Sequence, residues 1–235
     1  RSQALSLTGK YNLSNSGFGL VAGARQLTIK KSTLNINPAQ GDLVTTPDSG
    51  IGYLAGISYE RPDIALKVLL TQSPGIDIVV PTTVVGSGTV SQPSFTTLEF
   101  ETGIANNTLL FGSMHQGEHA SAQVKLNGIG AISSFTDGEK YNIGVGRKFN
   151  DSLSGSLSYT TEAGSSATGT SLLSPTNGTD TYALGINYST ETVDIAFGYA
   201  MSSFGDKAVT TAYGTGNFTN NDATTTGLRI KFRLP

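Results

Sequence analysis

His115 and His119 are the two histidines of the chain, four residues apart with Glu118 between them. On a helix that spacing would aim two imidazoles at one zinc ion with a carboxylate beside them, as in a metalloprotease. The stretch around 113–121 does not read as helical, and the remaining ligands of that motif are missing, so solvated loop residues are the plainer reading. Ser113 and His115 project to one face of an extended strand, the one serine–histidine arrangement visible. It lacks the Gly-x-Ser-x-Gly elbow that raises a nucleophile, and the chain has no phosphate-cradling loop. Gly144 and Gly146 sit inside a strand pattern, where glycine eases packing or leaves space. The absence of cysteine removes disulfides, thiolate metal sites and thiol nucleophiles together. No catalytic residue, metal or cofactor is assigned, and the expectation is a protein that is not an enzyme.

The elements that would position any site are strands. Some eleven segments alternate with period two. In 226–234 one face carries Leu228, Ile230, Phe232 and Leu234, and the other Arg229, Lys231 and Arg233. In 193–201 the apolar face is Val193, Ile195, Phe197, Tyr199 and Met201, while the opposite face holds Asp194, Ala196, Gly198 and Ala200. That small face leaves room for something inside. Short connections at 13–16, 60–63, 105–108, 150–152 and 189–192 alternate strictly with long ones at 30–49, 73–93, 117–139, 163–179 and 204–223. A bacterial outer-membrane β-barrel has this rhythm, because its periplasmic rim carries tight turns and its outer rim the functional loops. A soluble sandwich or solenoid also alternates, but its loops have no reason to sort by length.

Composition agrees. Charged residues make up 14% of the 235, and no apolar run approaches the roughly 18 to 20 residues of a membrane helix. A net charge of −2 gives no electrostatic case for nucleic acid. The fold class expected is all-β: one transmembrane antiparallel barrel domain over 1–235. A bacterial barrel with both ends in the periplasm needs an even number of strands. Eleven therefore imply at least one more upstream.

The segments 4–11 (ALSLTGKY), 52–61 (GYLAGISYER) with 62–69 (PDIALKVL), 98–112 (LEFETGIANNTLLFG) and 141–149 (YNIGVGRKF) resemble the long-chain fatty-acid transporter family of the outer membrane, the FadL/TodX group. The resemblance implies a fourteen-stranded barrel, plugged by an N-terminal hatch, that passes hydrophobic molecules by diffusion. This chain would be its last eleven strands, without the hatch or the first three strands. It departs from the pattern in ending Phe232–Arg233–Leu234–Pro235, where such barrels commonly finish on an aromatic residue. Expected partners are hydrophobic small molecules, long-chain fatty acids among them, and outer-membrane lipid, with the chain a monomer.

The loop 73–93 holds Ile76, Ile78, Val79, Val80, Val84 and Val85, more aliphatic surface than a solvated loop carries. Such a patch marks a binding or packing surface. The resemblance implies that the loops 30–49 and 73–93 form an outward groove that captures ligand, with Leu34, Ile36, Leu43 and Val44 as its second wall. The same residues would equally serve two loops that pack on each other to cap the barrel. A fatty-acid carboxylate is costly to bury unpaired, which makes Arg25, Lys67, Arg229 and Lys231 the head-group candidates. Arg25 and Lys67 lead because they are expected nearer the extracellular half. Against this, lumen cations also pair with lumen carboxylates such as Glu99, Glu101 and Asp194. A general porin and a barrel-borne hydrolase are the alternatives.

Overall fold

A computed structural model describes residues 2–37, 41–83, 86–133, 135–165, 177–211 and 214–233. β1 (Ser2–Asn12) and β2 (Phe18–Ile29) form the first hairpin; β3 (Ser32–Asn37) and β4 (Gly41–Thr45) lie in the loop that follows. β5 (Asp48–Arg61) and β6 (Leu66–Ser73) come next, then the loop hairpin β7 (Ile76–Thr82) and β8 (Gly86–Gln92). β9 (Phe95–Ala105) and β10 (Thr108–Gly117) precede the short β11 (Lys125–Leu126) and β12 (Gly130–Ala131). β13 (Gly138–Lys148), β14 (Leu153–Glu162), β15 (Thr179–Ser189) and β16 (Val193–Phe204) follow, and β17 (Lys207–Thr211) with β18 (Gly214–Phe218) leads to β19 (Asn221–Phe232).

Eleven of these strands make one antiparallel sheet in the order β1-β2-β5-β6-β9-β10-β13-β14-β15-β16-β19. That is the count and sequence of strands the alternation predicts. The last strand begins earlier than the pattern implies, at Asn221 rather than near 225. β1 and β19 do not pair, so the sheet is an open wall and not a closed cylinder. β1 and β19 are its edges and both run toward the short-turn rim. Unpaired strand edges in lipid are costly because no water satisfies them.

The two faces of the wall meet different solvents. Leu5, Leu7 and Tyr11 on β1, Leu20 opposite Ile57, Leu157 opposite Leu184, and Phe197 opposite Leu228 form a continuous exposed apolar face. Exposure reaches 80% at Leu7, which water would not tolerate across a whole sheet but hydrocarbon favours. The rings of Tyr159 and Tyr182 meet at 4.9 Å, tilted by 37°, toward the long-loop end of this face, where an interfacial aromatic belongs. The opposite face carries the charges. Register therefore fixes function here, since a one-residue slip would exchange the two faces.

The tight turns carry their own chemistry. Asn107 takes a left-handed φ of 58° between β9 and β10, a conformation asparagine tolerates. The Asn150 side chain accepts hydrogen bonds from the backbone N–H of Ser152 (2.9 Å) and Leu153 (2.8 Å), closing the β13–β14 turn.

Long loops carry strands of their own where a reading as plain polar loops anticipates none. Three of them contribute to a second sheet of six strands, β12-β11-β8-β7-β4-β3. Thr45 pairs with Thr82 across two loops, reinforced by Thr46 N–H to the Pro81 carbonyl (2.9 Å) and Thr83 N–H to the Val44 carbonyl (3.1 Å). This cap holds the clustered apolar core of the described residues, Ile76, Ile78 and Val80, with Leu27, Ile29 and Val90 packed against it.

Candidate functional site

The inner face divides into a charged half and a bare half. On the charged half the ion pairs Lys10–Glu60 and Lys67–Glu101 (2.6 Å) run across β1, β5, β6 and β9, and Glu60 stands directly opposite Lys67 in register. Opposite charges on neighbouring strands support pairing of the sheet. A cavity of about 290 Å3 is lined by these four residues with Glu99 and Ser58. Lys67 is the second residue of β6, next to the periplasmic turn. The expectation that it lies nearer the extracellular half is therefore wrong: the strand runs outward from that turn, so its start is the periplasmic end.

The bare half spans β13 to β19. One cross-strand row reads Gly146, Ser156, Gly185, Gly198 and Gly227. A Cβ at Gly198 or Gly227 would meet no atom within 4 Å, so open space lies over the backbone. Interior glycine costs a strand about 0.5–1 kcal/mol relative to alanine. At Gly185 a Cβ would meet Ser156 Oγ at 2.7 Å, so the clear space lies over Gly198 and Gly227. The next row toward the periplasm holds Lys148, Ser154, Asn187, Ala196 and Arg229. The second row, with Gly146, Ser156 and Gly185 of the first, borders a cavity of about 970 Å3, and Gly198 and Gly227 lie outside its lining.

The four candidate cations are not equivalent. Arg25 donates to Ser6 Oγ at 3.1 Å, and its register partner on β5 is Gly52. Lys67 is committed to Glu101. Lys231 lies opposite Asp194, whose carboxylate takes Arg233 at 2.8 Å. Arg229 faces Ala196, lines the large cavity, and is in no ion pair among the described residues.

His115 also projects inward, from β10. Its Nδ1 lies 2.8 Å from Thr97 Oγ1, its ring stacks on Phe95 at 4.8 Å, and His119 meets the same phenyl edge-on at 5.8 Å. These contacts give both imidazoles a packing role. Among the described residues no three potential ligands gather around a metal position. Ser113 shares the inward face, next to His115 in alternation.

The predicted groove residues separate by face. Ile76, Ile78 and Val80 are buried, as is Leu43, whereas Val79 between them is 56% exposed. Val44 is partly buried on β4. Leu34 and Ile36 lie on β3, with Leu34 opposite Leu43. Val84 and Val85 fall outside the described residues. What sequence reasoning missed is the surface beneath: Leu27, Ile29, Gly50 and Gly52 on the inner wall. The glycines at alternate positions of one strand were the available signal, since strand glycine often marks a close approach. A Cβ at Gly50 would stand 2.6 Å from Ile76 Cγ2 and 3.0 Å from Ile78 Cγ1, and one at Gly52 would stand 2.6 Å from Ile76 Cγ1.

The sequence matches no protein-family model and no curated protein. Solved structures do match. A FadL homologue of Pseudomonas aeruginosa aligns over 97% of this chain and 66% of that one, at 13% identity and a TM-score of 0.67. The Pseudomonas putida toluene transporter TodX aligns over 97% and 68%, at 11% identity and 0.59. The monoaromatic hydrocarbon channel CymD aligns over 99% and 74%, at 11% identity and 0.57. The chain thus spans just under two thirds of the first of these. At such identities the likeness is one of fold, and in fold the resemblance drawn from the sequence is borne out. Together with the exposed apolar face it makes this chain an integral outer-membrane β-barrel wall.

Proposed function

We propose that this chain forms the wall of a passive channel through which hydrophobic small molecules, long-chain fatty acids among them, cross the bacterial outer membrane. The observation that carries this reading lies on the inner face between β13 and β19, where Gly198 and Gly227, partners in register, leave open space over the backbone of β16 and β19. Over these two glycines an apolar solute meets backbone, and the fixed charges Lys148, Arg229 and Asp194 lie in the rows nearer the periplasm. Solved channels of this fold include transporters of toluene and other monoaromatic hydrocarbons, which supports a hydrophobic cargo. The apolar loop residues Leu34, Ile36, Val44 and Val79 are the proposed first contact outside, whereas Leu43 is buried within the cap. Arg229 is the proposed partner for an anionic head group, ahead of Arg25, Lys67 and Lys231, because it borders the large cavity from the inner face and, among the described residues, is in no ion pair. The chain acts on its cargo by affinity and concentration gradient, with no chemical step.

A second reading has one observation in its favour. The Lys10–Glu60–Lys67–Glu101 ladder resembles one side of a charged constriction, as in a general porin for small polar solutes. Uptake by cells with the protein in their outer membrane, measured against the same cells without it, separates the two. Faster uptake of oleate or toluene with unchanged uptake of a small sugar supports the hydrophobic channel. Faster uptake of the sugar alone would establish the porin.

A further inference from the structure

Ile76, Ile78 and Val80 lie on the inner wall at its extracellular end, over Leu27 and Ile29 of β2. The wall is shaped for them. Gly50 stands opposite Leu27 and Gly52 opposite Arg25, and at both glycines the space a side chain would fill is taken by Ile76 or Ile78. This apolar patch has no cover from the wall itself. Its cover comes from a loop.

The loop is attached in a particular way. β7 and β5 belong to different sheets, so the hairpin meets the wall through side chains and no ladder joins them. Its hydrogen bonds go instead to the cap, through β8 and the Thr45–Thr82 pair. Among the described residues no backbone pairing holds it to the wall. Arg25 lies at the margin of the patch with Ser6 Oγ as its hydrogen-bond partner and no ion pair among the described residues.

We propose that this patch is a binding seat for the apolar part of the cargo, held in the structure by the chain's own β7–β8 hairpin as a self-ligand. Cargo passes by taking the place of Ile76 and Ile78. Branched aliphatic side chains and an alkyl or aryl cargo offer the seat the same chemistry, so the exchange trades one apolar contact for another and is reversible. A cargo with a carboxylate gains Arg25 as well, which gives it an advantage the isoleucines lack. The seat rests on the reading that the chain passes apolar molecules.

The absence of cysteine makes the test clean. Gly50→Cys with Ile76→Cys brings two thiols together where a Cβ would lie 2.6 Å from the isoleucine. In cells carrying this pair, oxidation is expected to form the cross-link and abolish oleate uptake, and a reductant to restore it. A cross-linked protein that takes up oleate as fast as the reduced form would overturn the seat. So would a pair that does not cross-link, because the hairpin would then not rest there. A second variant leaves the wall intact: Ile76→Ser with Ile78→Ser vacates the seat, and apparent affinity for oleate should rise about tenfold as the competing occupant is lost. Unchanged or weaker binding would contradict the proposal. If the unaltered protein gives no oleate uptake at all, the channel reading fails first, which keeps the two failures distinct.

Discussion

The cap and the wall are built from the same kinds of residue turned in opposite directions. In the cap, Ile76, Ile78 and Val80 point at other protein atoms and Val79 points away. In the wall, Leu157, Leu184, Phe197 and Leu228 point outward, and glycine, alanine and serine point in. The cap is ordinary protein interior in water. The wall is an interior turned out, because its solvent is lipid and its inside must stay open. Period-two alternation thus has opposite meanings in two parts of one chain, and the neighbours on the other face decide which applies: polar and mixed in the cap, small and charged in the wall.

Substitutions can break this contrast. The largest effect is expected at Ile78→Ala, which empties a fully buried site and should cost the cap about 2–5 kcal/mol, while Val79→Ala beside it should cost less than about 0.5 kcal/mol. Hydrogen exchange of the cap amides measures both; equal losses would mean the two faces are not distinct. In the wall the sign of the rule reverses. Leu157→Arg puts a charge in the hydrocarbon and should cost roughly 2–4 kcal/mol near the bilayer midplane, whereas Ala200→Lys on the inner face should cost far less. Urea unfolding in lipid vesicles compares them, and equal costs would remove the lipid assignment of the outer face.

A smaller effect should divide cargoes from one another. Arg229→Gln is expected to slow oleate uptake about tenfold, in keeping with the loss of one charge-assisted hydrogen bond, and to leave toluene uptake unchanged. Equal slowing of both would show a general defect of the passage instead of lost head-group recognition.

The smallest expected effect is at the periplasmic rim. A hydrogen bond from Lys148, and then its charge, holds the Asp151 carboxyl below its usual range. A carboxyl depressed by folding contributes in full above its unfolded value and loses that contribution as pH falls through the folded one. Acid should therefore weaken the β13–β14 turn only below the ordinary aspartate range, and Lys148→Gln should remove that decline. The comparison is an acid titration of the unfolding midpoint in both proteins. A decline unchanged by the substitution would place its cause elsewhere.

Much of the wall is legible in the sequence because lipid imposes a strict code. Leu228, Ile230 and Phe232 alternate with Gly227, Arg229 and Lys231, and nothing but a two-faced strand reads that way. The connections sort by length because the two rims differ in function. The inner face is half legible: Ala196, Gly198 and Ala200 announce a small surface, but not that they align with Gly146, Gly185 and Gly227, since register across strands is not written within any one of them. Lys67 shows the same limit, its place along the strand depending on where the turn before it ends. The cap was legible as apolar and no further. Ile76, Ile78 and Val80 carry a period-two pattern that a loop reading passes over, and their partners Leu27, Ile29, Gly50 and Gly52 come from strands dozens of residues away.

The central claim is that the open space over the inner glycines is the route of an apolar cargo. The most direct test fills it: Gly198→Leu with Gly227→Leu adds two side chains where a Cβ meets nothing within 4 Å. Heat-modified gel migration first confirms that the barrel forms in the outer membrane. Oleate uptake by these cells should then fall to that of cells without the protein. Uptake that stays at the level of the unaltered protein would contradict the account, because the cargo would have to travel by another surface.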